Sequence, residues 1–224
     1  HTVPNHTKYQ VDNVYSMAFD GNNNNYVNLG SGLGNSLGSS YNSPISISTW
    51  IKTTNFTKAG GSGIFQLGNL SGYGYISAVL ASNKLNIYTN NGASQSSATS
   101  AISSDISSAW SNNWINIVVV WDTGDSANSK VYAQGSPLTL PTNDWASVSG
   151  SSVINFTGVN SFIGLYYNDS YTFDGNIDET AVFDYELSRS QIYDIYTSTT
   201  TGKTANLNGN SNIKAPVAWY RMGD

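Results

Sequence analysis

Apolar and polar residues alternate one for one in short runs along most of this chain, and a period of two suits β-strands and little else. Tyr15, Met17 and Phe19 alternate with Val14, Ser16 and Ala18 before the turn Asp20-Gly21-Asn22-Asn23-Asn24-Asn25. Ile45, Ile47, Thr49 and Ile51 alternate with Ser46, Ser48, Trp50 and Lys52. Further strands are expected at 26–29, 63–67, 74–80, 84–89, 130–134, 161–165 and 175–183. The run 114–121 (WINIVVVW) is apolar on both faces, which predicts a central strand. Many short strands joined by Gly/Asn turns predict an all-β sandwich or barrel. With 224 residues, 39% of them hydrophobic, the chain is long enough to bury a core without disulfides or metals.

One helix interrupts the pattern. Ser188 and Gln191 have the spacing of a capping box, Leu187 and Ile192 that of a hydrophobic staple, and Ile192, Ile195 and Tyr196 form one apolar stripe. The expectation is a short C-terminal helix that caps the sheets. The Ser/Asn-rich stretch 90–113 still carries Ala98, Ile102, Ile106 and Trp110, and is read as an edge strand plus loop. The stretch 198–215 has few apolar residues and is read as a linker. The expected organisation is an arm at 1–14, one domain at 15–197, the linker at 198–215 and a terminal strand at 216–224. That strand is expected to pair within its own sheet beside 15–20, the competing arrangement being donation to a neighbouring subunit.

Composition removes several function classes. Charged residues make up 10% of the chain and the net charge is −5. The nine basic residues are scattered, so no patch suits a nucleic-acid backbone. No apolar run approaches the ~20 residues of a membrane span, so no membrane insertion is expected. There is no cysteine, which excludes thiol catalysis and thiolate metal sites. The opening HTVPNHTKYQ lacks the apolar core of a secretion signal, which points to a start already processed or to export by another route such as virion assembly.

Four segments, in order, resemble the laminin-G-like and concanavalin-A-like lectin domains. They are Ser16-Met17-Ala18-Phe19-Asp20-Gly21 with Tyr26-Val27, then 45–51 (ISISTWI), then 114–122 with 130–135, and finally 173–183 (FDGNIDETAVF) with Leu187-Ser188. The tail 216–224 (PVAWYRMGD) is similar to a segment found beside such domains in bacteriophage virion proteins. The resemblance implies an antiparallel two-sheet jelly roll. It also implies binding of glycans or glycosylated surfaces at an extracellular or virion surface, often with calcium. The same fold hosts unrelated functions, so the ligand has to be argued from the site. A self-assembling structural subunit, a homo-oligomer or virion component using the terminal strand, is the competing reading.

The candidate residues follow from chemistry. Glycosidases need two carboxylates facing one another across a cleft. This chain has only Glu179 and Glu186 as glutamates, without the Glu-x-Asp-x-x-Glu strand of the related glucanases, and an enzyme is not expected. Strict alternation puts Glu179 on the face of Ile177, Ala181 and Phe183, pointing inward. The histidines, His1 and His6, both lie in the arm. Calcium takes carboxylate and carbonyl oxygens, and Asp20, Asp174 and Asp178 are its expected ligands, with Asp122 and Asp125 behind them. For sugar contact the leading candidate is the loop Tyr166, Tyr167, Asn168, Asp169 and Tyr171, which joins aromatic faces to amide and carboxylate groups. Tyr41, Tyr73, Tyr75 and Trp145 are the reserves.

Overall fold

The computed structural model describes residues 10–69, 74–90, 95–101, 109–123, 128–138, 154–167 and 171–222. Chain order is β1 (Gln10–Asp12), β2 (Met17–Asp20), β3 (Val27–Gly30), α1 (Gly32–Leu37), β4 (Ile45–Lys52), β5 (Ser62–Asn69), β6 (Gly74–Ala81), β7 (Lys84–Asn90) and β8 (Gln95–Ala101). It continues with β9 (Ile115–Trp121), β10 (Lys130–Ala133), β11 (Ser136–Pro137), β12 (Ser161–Ile163), β13 (Asp174–Phe183), α2 (Arg189–Ser198), β14 (Lys203–Ala205) and β15 (Ala218–Tyr220). Two antiparallel sheets form the expected jelly-roll sandwich. One runs β11-β10-β9-β4-β13-β15 with β2 also on β13, the other β3-β12-β5-β6-β7-β8.

The alternation sets the core. Ile45, Ile47 and Ile51 of β4 and Ile115, Ile117, Val119 and Trp121 of β9 face Phe65, Leu67, Ile76, Ala78, Leu85 and Ile87 of the opposite sheet. Each large apolar side chain buried here contributes roughly 1.5–3 kcal/mol. The double-sided β9 has a local cause: its outward Val118 and Val120 lie beneath Ile192 and Ile195 of α2 together with Ala205, Leu207 and Ile213. The capping box forms as expected. Ser188 Oγ accepts from Gln191 N, and Ser188 N donates to Gln191 Oε1 at 2.9 Å. Leu187, the outer half of the staple, is buried with Ile192. A second helix, the six-residue α1, was not expected.

Both ends of the chain depart from the sequence reading. The stretch 198–215 is packed rather than a bare linker: β14 pairs with β1, and Ala205, Leu207 and Ile213 are buried. Three well-placed apolar residues are enough to anchor a segment whose average composition is polar. The same pairing orders Gln10–Asp12, inside the expected arm, whereas residues 1–9 lie outside the described set. The terminal strand is shorter than expected and does pair within its own sheet, but not beside β2. Residues 218–220 pair with 182–180 of β13, and β2 pairs with 177–174 of the same strand. The ten-residue β13 therefore carries β2 and β15 along one edge.

Between Asp178 and Ala181 the register of β13 against β4 slips, and Glu179 takes a left-handed backbone, φ +50°. Such a conformation costs about 1–3 kcal/mol for a residue with a side chain. The bulge also breaks the alternation. Ile177 and Val182 face the sandwich core, where Thr180 meets Thr49 through a 2.8 Å hydroxyl bond, while Ala181 and Phe183 face α2. Glu179 joins Asp178 on the helix-covered side, not Ile177 as period two requires.

Candidate functional site

The loop after β12 is positioned by backbone contacts that only glycine permits. Gly63 N donates to Tyr171 O at 3.0 Å, and a Cβ at Gly63 would lie 2.2 Å from Tyr166 N. Tyr166 N donates to Tyr171 O at 3.2 Å, and Tyr167 N to Gln66 Oε1 at 3.1 Å. The loop is thus clamped to β5 on the outer face of the six-stranded sheet, the face opposite Phe65 and Leu67.

That clamp gathers four rings. Tyr88 of β7 stacks on Tyr166 with centroids 5.2 Å apart and planes at 14°. Tyr166 lies 6.1 Å from both Tyr167 and Tyr171, which are 6.2 Å from one another. Tyr167 is 60% exposed and Tyr166 half-buried. Burial pushes the Tyr166 and Tyr88 phenols above their ordinary range, so both stay protonated and able to donate. The result is a surface with aromatic faces and phenol O–H groups at its edges. Three expected sugar-contact residues, Tyr166, Tyr167 and Tyr171, are brought together here. Asn168 and Asp169 lie outside the described residues, as do Tyr73, Trp145 and Asp125. Tyr41 and Tyr75 are buried and present no free face. Tyr88 is not among the residues the sequence singles out, because it sits in a regular strand and only the fold brings Tyr166 over it.

The expected calcium ligands do not converge. Asp20 and Asp174 are direct neighbours across β2 and β13. Asp178 is four residues further along β13, on the order of 13 Å away at strand rise, too far to share an ion with bonds of about 2.3–2.6 Å. Asp20 is already engaged: Oδ1 accepts from Asn22 N (2.9 Å) and Asn25 Nδ2 (2.7 Å), and Oδ2 from Asn22 Nδ2 (2.9 Å). These donors hold its carboxyl below the usual range. Asp174 Oδ2 accepts from Asn55 Nδ2 at 3.0 Å. The nearby carbonyls are taken by Lys58, whose Nζ donates to Gly21 O at 2.8 Å and Thr172 O at 2.6 Å. An ammonium thus stands on the oxygens a hard cation would need, and this rim does not fit calcium. Among the described residues, no group of three or more His, Cys, Asp or Glu is arranged to hold a metal. Asp122 accepts from Asn128 Nδ2 at 3.4 Å in its hairpin.

On the helix-covered face the bulge assembles a second polar centre. Asn13 Nδ2 donates to Asp178 Oδ2 and Glu179 Oε1, both at 2.9 Å. Trp219 Nε1 donates to Glu179 Oε2 at 2.5 Å, and Arg221 Nε to Oε1 at 3.4 Å. Burial raises the Glu179 pKa to about 7, opposed by the Trp219 bond and reinforced by the Asp178 charge. Glu179 is indeed buried among partners, though on the opposite face from the one expected. A cavity of about 680 Å³ opens beside this pair.

Comparison with known proteins agrees with this architecture. The family model described as the concanavalin A-like lectin/glucanases superfamily matches residues 20–193. No curated protein sequence matches the chain. Among solved structures, the carbohydrate-binding module CBM40 of Ruminococcus gnavus IT-sialidase, bound to α2,3-sialyllactose, superposes with a TM-score of 0.59 at 14% identity, over 84% of this chain and 97% of that one. The heptameric SAP-like pentraxin of Limulus polyphemus gives 0.55 at 18% identity, over 84% and 82%. Domains LG4-5 of the mouse laminin α1 chain give 0.53 at 13% identity, over 85% of this chain and 45% of that one. At these identities the structural likeness speaks for the fold, while the family match spans most of the chain. The chain belongs to the concanavalin A-like lectin/glucanase superfamily.

Proposed function

We propose that the chain is a non-enzymatic carbohydrate-binding module that acts outside the cell, and that Tyr166, Tyr167 and Tyr171, flanked by Asn168 and Asp169, make its sugar contact. The observation that carries this reading is the cluster of Tyr166, Tyr167 and Tyr171, with Tyr88 stacked on Tyr166 and Tyr167 standing 60% exposed. A sugar ring has an apolar face and a polar rim, and a ring surface edged by phenol hydroxyls is complementary to both. The sialyllactose complex of a structural neighbour supports the ligand class. Attachment of a virion to a glycosylated surface is the finer form of this reading, and it draws on the segment 216–224 alone. Terminal-strand exchange between subunits has no observation in its favour, since β15 is paired in its own sheet. A glycan array probed with the full chain and with Tyr167→Ala tests the proposal. Binding of a defined set of saccharides by the parent and its loss in the variant is the expected result; unchanged binding by the variant moves the site elsewhere.

A further inference from the structure

We propose that the cavity on the helix-covered face is a second ligand site, and that it takes the uncharged pyranose end of a saccharide. At about 680 Å³ it lies within the size range of small-molecule sites, ~300–1,000 Å³. It is separate from the tyrosine surface. Trp50 lies on the outer face of the seven-stranded sheet, alternating with Ile51 of the core, and the tyrosines lie on the outer face of the six-stranded one. Parts of the chain distant in sequence are fixed together around it. Asn13 N donates to Gly202 O at 3.0 Å, and Asn13 Nδ2 reaches Asp178 and Glu179, so the segment after β1 is held against both the bulge and the turn before β14. β4 adds Trp50, and the end of α2 adds Tyr196.

Its walls specify the ligand. Trp50 and Tyr196 stack with centroids 6.1 Å apart and planes at 20°, and Trp114 and Tyr15 line the same space, Tyr15 being 63% exposed. Val14 is the only aliphatic side chain among the described residues that line it, so an acyl chain would find few partners. Hydroxyl groups stand beside the rings instead, those of Ser16, Thr199, Thr200 and Thr201. Ser16 Oγ accepts from Asn176 Nδ2 at 3.2 Å and keeps its own hydrogen to donate. Thr199 Oγ1 donates to Ile195 O at 3.1 Å and keeps its capacity to accept. The charged groups on the walls are engaged within the chain. Asp178 Oδ1 accepts from Glu179 N at 2.8 Å and Oδ2 from Asn13 Nδ2 at 2.9 Å. Glu179 accepts from Trp219, Arg221 and Asn13, and Lys203 Nζ pairs with Asp12 at 2.8 Å. A charged ligand would have to displace one of these partners to find its own. An uncharged one displaces none, and rings beside hydroxyls match the apolar face and polar rim of a pyranose. With a saccharide on each sheet a single module can bridge two glycans, a consequence that rests also on the tyrosine site proposed above.

The test follows the Trp50 and Trp114 indole N–H resonances of the full chain during titration with neutral methyl pyranosides: the β-glucoside, β-galactoside, α-mannoside and β-N-acetylglucosaminide. Titration to about 50 mM reveals a site too weak to survive the washing of an array. Methyl β-glucuronide and methyl β-glucosaminide serve as the anionic and cationic counterparts, and p-cresol as a flat aromatic ligand. Saturable shifts with at least one neutral pyranoside, at least fivefold weaker with both charged sugars, are expected. Tyr15→Ala, at an exposed position, should weaken this binding at least fivefold with its amide spectrum otherwise retained. Tyr167→Ala should leave the indole shifts unchanged even where it abolishes array binding, which separates failure of one site from failure of the other. The proposal is overturned by no saturable shift with any neutral pyranoside, equal affinity for the charged sugars, or saturation by p-cresol alone. Full affinity in Tyr15→Ala, or loss of the shifts in Tyr167→Ala, overturns it as well.

Discussion

The indole of Trp219 donates to Oε2 of Glu179 at 2.5 Å, joining β15 to the bulge in β13, the strand that carries both β2 and β15. Arg221 adds a second tie, from Nε to Glu179 Oε1 and from Nη2 to the Asp12 carbonyl. One buried carboxylate thus holds the segment after β1 and the segment at β15 in place. Deleting the residues after Lys214 should destabilise the monomer by at least about 3 kcal/mol in urea unfolding, because it strips a buried acid of two partners and uncovers apolar surface. An unchanged midpoint would show that the strand contributes nothing to its own fold.

The same carboxylate predicts a pH dependence. Its folded pKa of about 7 lies above the ordinary 4.5, so between those values the folded state holds a proton that the unfolded state has released. Stability from this group is complete below pH 4.5 and declines as pH rises to about 7, by on the order of 3 kcal/mol. Asp12 and Asp20, whose pKa values are lowered, act in the opposite sense and only in acid. Thermal midpoints of Glu179→Gln should lose the decline across this window, and a variant whose profile parallels the parent would contradict the assignment.

Lys58 supplies positive charge where the family resemblance suggests calcium. Chelator and added calcium should both leave the thermal midpoint unchanged, since a ligand stabilises only if it binds the folded state. Lys58→Met should lower the midpoint, leaving the carbonyls of Gly21 and Thr172 without their donor. A rise of several degrees with calcium would restore the metal.

Much of this was legible in the sequence, and the failures share a physical cause. Alternation located the strands whose two faces differ, and Ser188 with Gln191 located α2, because both signals are local. The same alternation failed at Glu179, where a bulge inserts a residue that no periodicity announces, and this hid the pairing of Asp178 with Glu179. Composition misled at β14, where Ala205 gains its value only from packing beneath the helix-covered face. The tyrosine loop could be named from composition, but Tyr88 could not, since its neighbour Tyr166 is remote in sequence. Asp20 and Asp174 carry the right chemistry for calcium, and only three dimensions show Lys58 at their carbonyls.

Glu179 has its oxygens occupied by Trp219, Arg221 and Asn13, so neither is free to deliver a proton to a leaving group. Incubation with β-glucans, agar-type and host-surface polysaccharides should release no reducing ends. Turnover abolished by Glu179→Gln would make this chain an enzyme.

The loop depends on Gly63, whose missing side chain leaves room for Tyr166 N. Gly63→Ala should displace the clamp, weakening saccharide binding and lowering the thermal midpoint together. Normal binding in that variant would mean that the tyrosines need no such support.

The most direct test of the sugar site compares two substitutions of one exposed ring. For a saccharide selected on the array, calorimetric titration should give Tyr167→Phe an affinity within about threefold of the parent, since the aromatic face is kept. Tyr167→Ala should lose at least tenfold, about 1.4 kcal/mol. Equal affinity for all three proteins would contradict the claim that this tyrosine surface is where the sugar binds.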